Sequence, residues 1–201
     1  IRLTTNMSSS GEKIQSDFED AVQVHHEIAT NETIKLQIID LAERCVSALN
    51  EGSKIIFAGN GGSFADSQHL AAELISRLQF DRAPLPAVAL GTNSSSTTAI
   101  ANDYGYEQIF ARELSVISHP GDVYIPISTS GNSKNILLSV KVAVERGLHT
   151  VGFTGEIGGE LAQICQCVKI PSNRTERIQE GHILVGHVLC GLIEDKYFSQ
   201  S

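Results

Sequence analysis

A histidine and a glutamate stand four residues apart in the stretch FAGNGGSFADSQHLAAEL (57–74), shortly after a run of glycines. These residues are His69 and Glu73, and in a helix a spacing of four projects both side chains from one face. An imidazole beside a carboxylate can transfer protons or bind a metal ion. The same spacing is common on solvated helix faces, but its position directly after a glycine loop favours a functional site.

A second polar cluster lies in the stretch RIQEGHILVGHVLCGLIE (177–194), which is otherwise largely apolar and predicts a helix buried on most sides. Polar side chains in such a helix need partners. Gln179, His182 and His187 are the polar residues of interest, and two readings of the histidines stay open. They are either hydrogen-bonded core residues or members of a site.

Two polar loops have the composition of a phosphate-binding site. GNGGS (59–63) allows close backbone approach to a ligand, and STSGNS (128–133) places four hydroxyls just before a predicted helix. Neither loop is a GxGxxG or Walker sequence, so a dinucleotide or nucleoside triphosphate is not indicated. Ser130 or Ser133 could instead be an ordinary N-cap, but one serine suffices for that role, so four hydroxyls favour phosphate.

The elements that must position these residues predict an α/β fold with a parallel sheet covered on both faces. Short apolar runs occur at 54–59, 86–90, 122–128, 149–155 and 167–171, and helical patterns at 64–79, 94–101, 106–117, 132–146 and 174–197. Pro126 lies inside the third run and has no N–H to donate. This predicts either an irregular strand or a position whose missing donor would face away from the neighbouring strand. Two further helices precede the first strand over about 15–51, with Asn31 or Thr33 as the cap of the second. This pair either covers the sheet or packs against a second subunit.

Length and composition limit the remaining possibilities. The 201 residues, 41% hydrophobic, suit one domain, and the net charge of −8 argues against a nucleic-acid or anionic-membrane partner. The four cysteines lack CxxC spacing, no secretory segment precedes them, and no run of about 20 apolar residues is present, which favours a cytoplasmic protein. Because Ile is not a translation start, we expect residues 1–6 to be a cloning remnant and 7–201 to form the domain.

Several motifs in order resemble those of the phosphoheptose isomerases, which belong to the sugar isomerase (SIS) family. They are AGNGGSFADSQHLAAEL, AIANDYGYE, GDVYIPISTSGNSKNI, TGEIGGELA and RIQEGHILVGH, and the resemblance covers about residues 15–198. It implies a flavodoxin-like, three-layer fold with a five-stranded parallel sheet, and a homotetramer with active sites between subunits. It also implies interconversion of sedoheptulose 7-phosphate and D-glycero-D-manno-heptose 7-phosphate through an enediol, an early step towards the heptose of lipopolysaccharide or capsule.

The resemblance assigns roles to individual positions. It implies Glu73 and His187 as the catalytic pair, and His69, Glu73, Gln179 and His187 as ligands of one Zn²⁺ per site, partially occupied because a glutamine is a weak ligand. The substrate-binding positions are Asn60, Gly61, Gly62, Ser63, Glu73, Arg77, Ser128, Thr129, Ser130, Ser133 and Gln179. In ANDYGYE (101–107) a helix break is expected, with Asn102 and Asp103 as candidate substrate contacts. Glu176 replaces an aspartate usual in the family, which puts its sugar contact in doubt.

Two other functions within the SIS family are alternatives. One is a non-catalytic protein that binds the replication initiator DnaA; there the glutamate and the final histidine are replaced, whereas Glu73 and His187 both stand here. The other is a sugar-phosphate sensor of transcription, which would bring a DNA-binding segment that this sequence lacks. The residues therefore favour the enzyme.

Overall fold

A five-stranded parallel sheet forms the centre of the protein in the computed structural model, which describes residues 9–199. The strands are β1 (Ile55–Gly59), β2 (Ala87–Ala89), β3 (Val123–Ser128), β4 (His149–Gly155) and β5 (Gln166–Ile170). Their order is β2-β1-β3-β4-β5, and every pairing is parallel. The predicted sheet is confirmed. The expected cloning remnant, residues 1–6, lies outside the described residues.

Helices cover both faces of the sheet, as expected from strands whose residues are almost all buried. They are α1 (Ser9–Thr30), α2 (Glu32–Asn50), α3 (Gly62–Ile75), α4 (Ser94–Tyr104), α5 (Ile109–Ile117), α6 (Lys134–Glu145), α7 (Leu161–Ile164) and α8 (Thr175–Phe198). One face packs against α1, α2, α3 and α8, and the other against α5, α6 and α7. The predicted helical pair is thus α1 and α2.

The N-terminal pair shows why the chain turns where it does. Asn31 separates α1 from α2, and its side chain accepts a hydrogen bond from the backbone N–H of Ile34 at 3.1 Å. An asparagine at this position satisfies one of the donors that every helix start leaves free. Of the two predicted caps, Asn31 is therefore the one the structure uses.

Pro126 lies in β3, the central strand, where a proline is uncommon because it has no N–H to donate. The ladder between β3 and β1 is continuous, and Pro126 pairs with Ala58 there. On the β4 side, residue pairs occur at Val123, Tyr124, Ile127 and Ser128, whereas Ile125 and Pro126 have none. The predicted irregularity is confirmed as a gap on one side of the strand.

Four helical segments differ from the predictions by more than two residues or in kind, and the first is α3, which ends at Ile75 instead of 79. Helix α4 continues through Tyr104 instead of ending at 101, because Gly105, with φ of 94°, is the residue that can end it. The predicted helix 106–117 is divided into a 3₁₀ turn (Tyr106–Gln108) and α5. The four-residue helix α7 was not predicted, since a single turn carries no readable periodicity. Across residues 9–199, no helix has the length and apolar character that crossing a membrane requires.

Candidate active site

Helices α3 and α8 approach closely at Gly186. A Cβ atom at this position would lie 2.6 Å from both δ-methyl carbons of Leu70, so only glycine allows the two helices to pack at their present separation. His187 follows Gly186 and His69 precedes Leu70. The close contact therefore brings the two imidazoles, which are far apart in the chain, to the same point.

His69, Glu73 and His187 form what we call the acid–imidazole cluster. The Nε2 atoms of the two histidines are 2.8 Å apart, and His69 Nε2 lies 3.1 Å from Glu73 Oε1. The rings meet edge to face, with centroids 5.0 Å apart. The Glu73 side chain is 18% exposed and that of His69 is 48% exposed, so the cluster is partly shielded and open on one side. A carboxylate and two imidazoles, groups that can transfer protons, thus lie together within one chain.

The acid–imidazole cluster also has the composition of a metal site. One ligand atom from each of its three residues lies within 4.8 Å of the other two. Two imidazoles and one carboxylate are a ligand set that suits catalytic zinc. Zinc–nitrogen bonds of about 2.0–2.1 Å require ring nitrogens slightly farther apart than the 2.8 Å found here. The His69 side chain is 48% exposed and so has room to rotate outward, and the donor set therefore suits the ion.

Gln179, the fourth predicted ligand, is a residue of α8, and its side chain lies against the beginning of α3. Its side-chain amide occupies the space where Gly62 would carry a Cβ, 2.5–2.8 Å from that point. Within residues 9–199, no hydrogen bond joins this amide to His69, Glu73 or His187. The close fit explains why the glycine loop requires glycine at Gly62, and it brings α8 against the start of α3.

The hydroxyl loop (128–133) follows β3 and precedes α6. Ser128 Oγ and Ser133 Oγ are 3.2 Å apart, and Ser130 Oγ accepts a bond from the Asn132 backbone N–H at 3.1 Å. Ser133 occupies the N-cap position of α6 without a side-chain capping bond. The Ser133 hydroxyl therefore does not cap α6, and the helix start keeps a positive electrostatic potential that favours an anion.

Glycines hold the hydroxyl loop against the chain that follows β4. Gly131 has a φ of 66°, and a Cβ there would lie 2.0 Å from the Gly158 carbonyl oxygen. The Leu161 N–H donates to the Gly131 carbonyl at 2.9 Å, and the Glu160 N–H donates to Asn132 Oδ1 at 2.9 Å. These contacts fix the loop conformation without using any of its hydroxyls.

A cavity of about 270 Å³ opens beside the hydroxyl loop at the carboxyl ends of β3, β4 and β5. It is lined by Thr129, Ser130, Asn132, Gly155, Glu156, Ile157, Ser172, Asn173, Thr175 and Ile178. Ligands of open parallel sheets bind at this edge. Because Ile178 belongs to α8, the cavity and the acid–imidazole cluster share one helix, with His187 nine residues farther along it.

Asn60 in the glycine loop has three hydrogen bonds to side chains that the sequence did not single out. Its amide exchanges two bonds with Asn135, at 2.8 and 2.9 Å, and its Oδ1 also accepts from the Tyr106 hydroxyl at 2.8 Å. Asn135 is 3% exposed. Asn60 therefore links the glycine loop to α6, and Ser63, itself buried, continues the loop into α3.

Four predicted contacts have no hydrogen bond or ion pair with the acid–imidazole cluster among residues 9–199. Arg77 is exposed beyond the end of α3, and it makes no ion pair or hydrogen bond within the described part of the chain. Asn102 and Asp103 bond to each other at 2.8 Å in the last turn of α4 and are exposed. Glu176 accepts a bond from Arg174 at 2.8 Å. Their predicted substrate contacts therefore stay predictions.

Two titratable residues with shifted pKa values lie outside the predicted ligand and catalytic sets: Asp66, which is half-buried, and His182, which is fully buried. Burial raises the pKa of Asp66 to about 6, against the opposing effect of nearby His69, and its buried Oδ2 has no hydrogen-bond partner among residues 9–199. The signal was its position three residues before His69. His182 is fully buried beside Phe153, and within the described part of the chain neither ring nitrogen has a partner that meets hydrogen-bond geometry. Burial lowers the pKa of His182 to about 4, despite the nearby backbone of Thr154.

Comparisons with known proteins agree on the family. The SIS domain model matches residues 18–155. The phosphoheptose isomerase of Aneurinibacillus thermoaerophilus is 45% identical over 92% of this chain and 94% of its own length, and that of Aquifex aeolicus is 47% identical over 94% and 99%. The solved phosphoheptose isomerase of Francisella tularensis superposes with a TM-score of 0.87 at 34% identity, covering 94% of this chain and all of that one. The Neisseria gonorrhoeae enzyme gives 0.83 at 38% identity, covering 92% and 98%.

Proposed function

The chain belongs to the SIS-domain family as a phosphoheptose isomerase, and we propose from this that it interconverts D-sedoheptulose 7-phosphate and D-glycero-D-manno-heptose 7-phosphate. The main support for this proposal is that Glu73, His69 and His187 lie together. An aldose–ketose isomerisation needs an acid and a base that act on adjacent atoms of the substrate. The DnaA-binding alternative gains no support from the relatives compared.

The substrate carries its phosphate on C7, at the other end from the reacting C1 and C2. The protein has a corresponding division into a hydroxyl loop and an acid–imidazole cluster. Four hydroxyls and an uncapped helix start suit the phosphate, since backbone N–H groups and the helix dipole favour a dianion without a lysine or arginine. Binding energy gained at the phosphate then positions the reacting carbons.

The proposed proton transfers use Glu73 and His187. Glu73 removes the proton from one carbon and returns it to the neighbouring carbon, while His187 moves a proton between the two oxygens, so that the enediol forms and collapses. The opposite assignment of the two residues uses the same geometry. His69, in contact with both, holds their side chains together through the two short contacts at Nε2.

We propose one Zn²⁺ per site, held by His69, Glu73 and His187 with Gln179 as the fourth ligand. When bound, the ion would supply a Lewis acid that polarises the substrate carbonyl and stabilises negative charge on its oxygen. Glutamine offers only a neutral carbonyl oxygen, and its amide must turn from Gly62 to coordinate, so partial occupancy is expected.

We further propose a cytoplasmic homotetramer whose active sites lie between subunits and whose product feeds the heptose of lipopolysaccharide or capsule. The assembly is supported by a row of exposed apolar side chains on α1, Ile14, Phe18 and Val22, each four residues after the last. Exposed apolar surface of this kind marks interaction sites. The open side of the cluster, at His69, and the exposed Arg77 would then face a neighbouring subunit.

The test is incubation of the purified protein with sedoheptulose 7-phosphate, with and without a chelator, and detection of aldoheptose 7-phosphate. Conversion is expected, and a loss on chelation that added Zn²⁺ restores would assign the ion a role. No conversion by metal-loaded, folded protein, together with capture of DnaA in a pull-down, would replace the enzyme by the initiator-binding alternative.

A further inference from the structure

The loop after α3 contains a buried ion pair that joins it to α8. Arg82 Nε lies 2.8 Å from Glu194 Oε1, and the two side chains are only 2% and 0% exposed. Glu194 also accepts the backbone N–H groups of Leu78 at 3.1 Å and Gln79 at 2.8 Å. The sequence offered one signal for this network, a carboxylate within a mostly apolar helix, which must find partners when buried.

Arg82 also binds the end of the helix that carries Glu73. Its guanidinium donates to the carbonyl oxygens of Glu73 at 2.9 Å, Leu74 at 2.7 Å and Ser76 at 3.1 Å. The last carbonyls of a helix have no partner within the helix, and a cation there interacts favourably with the helix dipole. Arg82 therefore fixes the last turn of α3 at the backbone of Glu73.

Glu194 stands seven residues after His187 on α8, which places both on the same face about 10 Å apart along the axis. The pair therefore connects the helix of Glu73 to the helix of His187. We propose that Arg82 and Glu194 are positioning residues for the acid–imidazole cluster: their ion pair sets the relative position of α3 and α8 and so the distance between Glu73 and His187. This inference rests on the proposed isomerase function only for its kinetic test.

The chain offers a matched control immediately before the central strand β3. Asp122, 1% exposed, precedes β3 and likewise accepts two backbone N–H groups, from Lys54 at 3.0 Å and His119 at 2.8 Å, and one cation, Lys54 Nζ at 2.7 Å. Loss of one charge in either network leaves a poorly paired charge behind. Only the Glu194 network contacts the helices of the cluster.

The experiment compares Glu194→Gln with Asp122→Asn in the full-length protein. Tm is measured by thermal unfolding, and kcat and KM for sedoheptulose 7-phosphate are measured at a temperature where both variants are folded. Both variants should lower Tm by on the order of 10 °C. Glu194→Gln should also lower kcat roughly 10- to 100-fold with a small change in KM, whereas Asp122→Asn should keep kcat within about twofold. If Glu194 has a purely structural role, the two variants should have similarly lowered Tm values and similar kcat values, and that result would overturn the inference.

A second variant and a second readout keep the test decisive if Glu194→Gln does not fold or the wild type shows no isomerase activity. Arg82→Lys keeps a charge opposite Glu194 but cannot cover the same carbonyls, because its ammonium lacks the planar fork of donors. Its crystal structure should show Glu73 displaced from His187 by about 1 Å relative to the wild type, and positions unchanged to within roughly 0.5 Å would refute the positioning role. An inactive wild type with the predicted displacement would reject the isomerase proposal alone.

Discussion

Replacement of Gly186 by alanine should separate α3 from α8 and disable the acid–imidazole cluster. The new Cβ would lie 2.6 Å from both Leu70 δ-carbons, whereas ordinary contact needs at least 3.4 Å. The two helices or the Leu70 side chain must therefore move apart by about 1 Å. Leu70 is fully buried and has little room to yield. Such overpacking costs about 1–3 kcal/mol, partly offset by about 1 kcal/mol of improved helix propensity.

The kinetic effect should exceed the effect on stability, because His187 is the next residue and moves with the backbone. A misplacement of about 1 Å at a reacting group can lower kcat by on the order of 10²-fold. Gly191→Ala is the control on the same helix: its Cβ would clash with the end of the flexible, exposed Gln79 side chain and would touch Leu78 at an ordinary 3.9 Å, so kcat should stay near the wild-type value.

Leu70→Ala combined with Gly186→Ala removes the clashing carbons and should recover much of the lost kcat at a further cost in stability. The measurements are steady-state kinetics with sedoheptulose 7-phosphate and thermal unfolding of the four proteins. If Gly186→Ala keeps wild-type kcat, or if the double variant is no more active than Gly186→Ala, the close helix contact does not set the geometry of the cluster.

Three further outcomes are expected. The pKa of His182 is lowered to about 4 in the folded protein, so below about pH 6.5 the unfolded chain binds a proton that the folded chain does not. The free energy of unfolding should therefore fall as the pH drops from 6.5 towards 4, by at most about 1.4 kcal/mol per pH unit. In denaturant unfolding, His182→Phe should remove this part of the pH dependence. Asp66, whose pKa is raised, changes stability with pH in the opposite direction. Because the wild type and His182→Phe both contain Asp66, its contribution cancels in their comparison. Ser130→Ala should raise KM for the substrate several-fold with little change in kcat, and an unchanged KM would count against the hydroxyl loop as the phosphate site. Phe18→Glu should shift the assembly to smaller species in light scattering, whereas an unaltered mass would exclude α1 from the interface.

The sheet and most helices could be predicted because the apolar patterns are local and strong. Buried runs such as Ile55–Gly59 leave few alternatives to a strand, and Asn31 has the chemistry of a helix cap. The helix end at Gly105 was missed because ANDY is readable as a turn, whereas a glycine with positive φ follows it. The four-residue helix α7 lies below the length at which a period can be recognised.

The candidate site was only half predictable from its own residues. The spacing of His69 and Glu73 is local, but their meeting with His187 depends on the packing of Gly186 against Leu70, which no sequence pattern encodes. That part followed from the family resemblance. The Asn60–Asn135 pair and the Arg82–Glu194 pair join residues 75 and 112 positions apart, so they become visible only when the fold is known.

The central claim is that Glu73 exchanges a substrate proton on carbon within a cluster completed by His187. The most direct measurement is the conversion of sedoheptulose 7-phosphate by wild type and by Glu73→Gln, which keeps the shape and removes the basicity. The wild type should form aldoheptose 7-phosphate, and the folded variant should turn over more slowly by on the order of 10²-fold or more. Nearly equal turnover by the two proteins would contradict the claim.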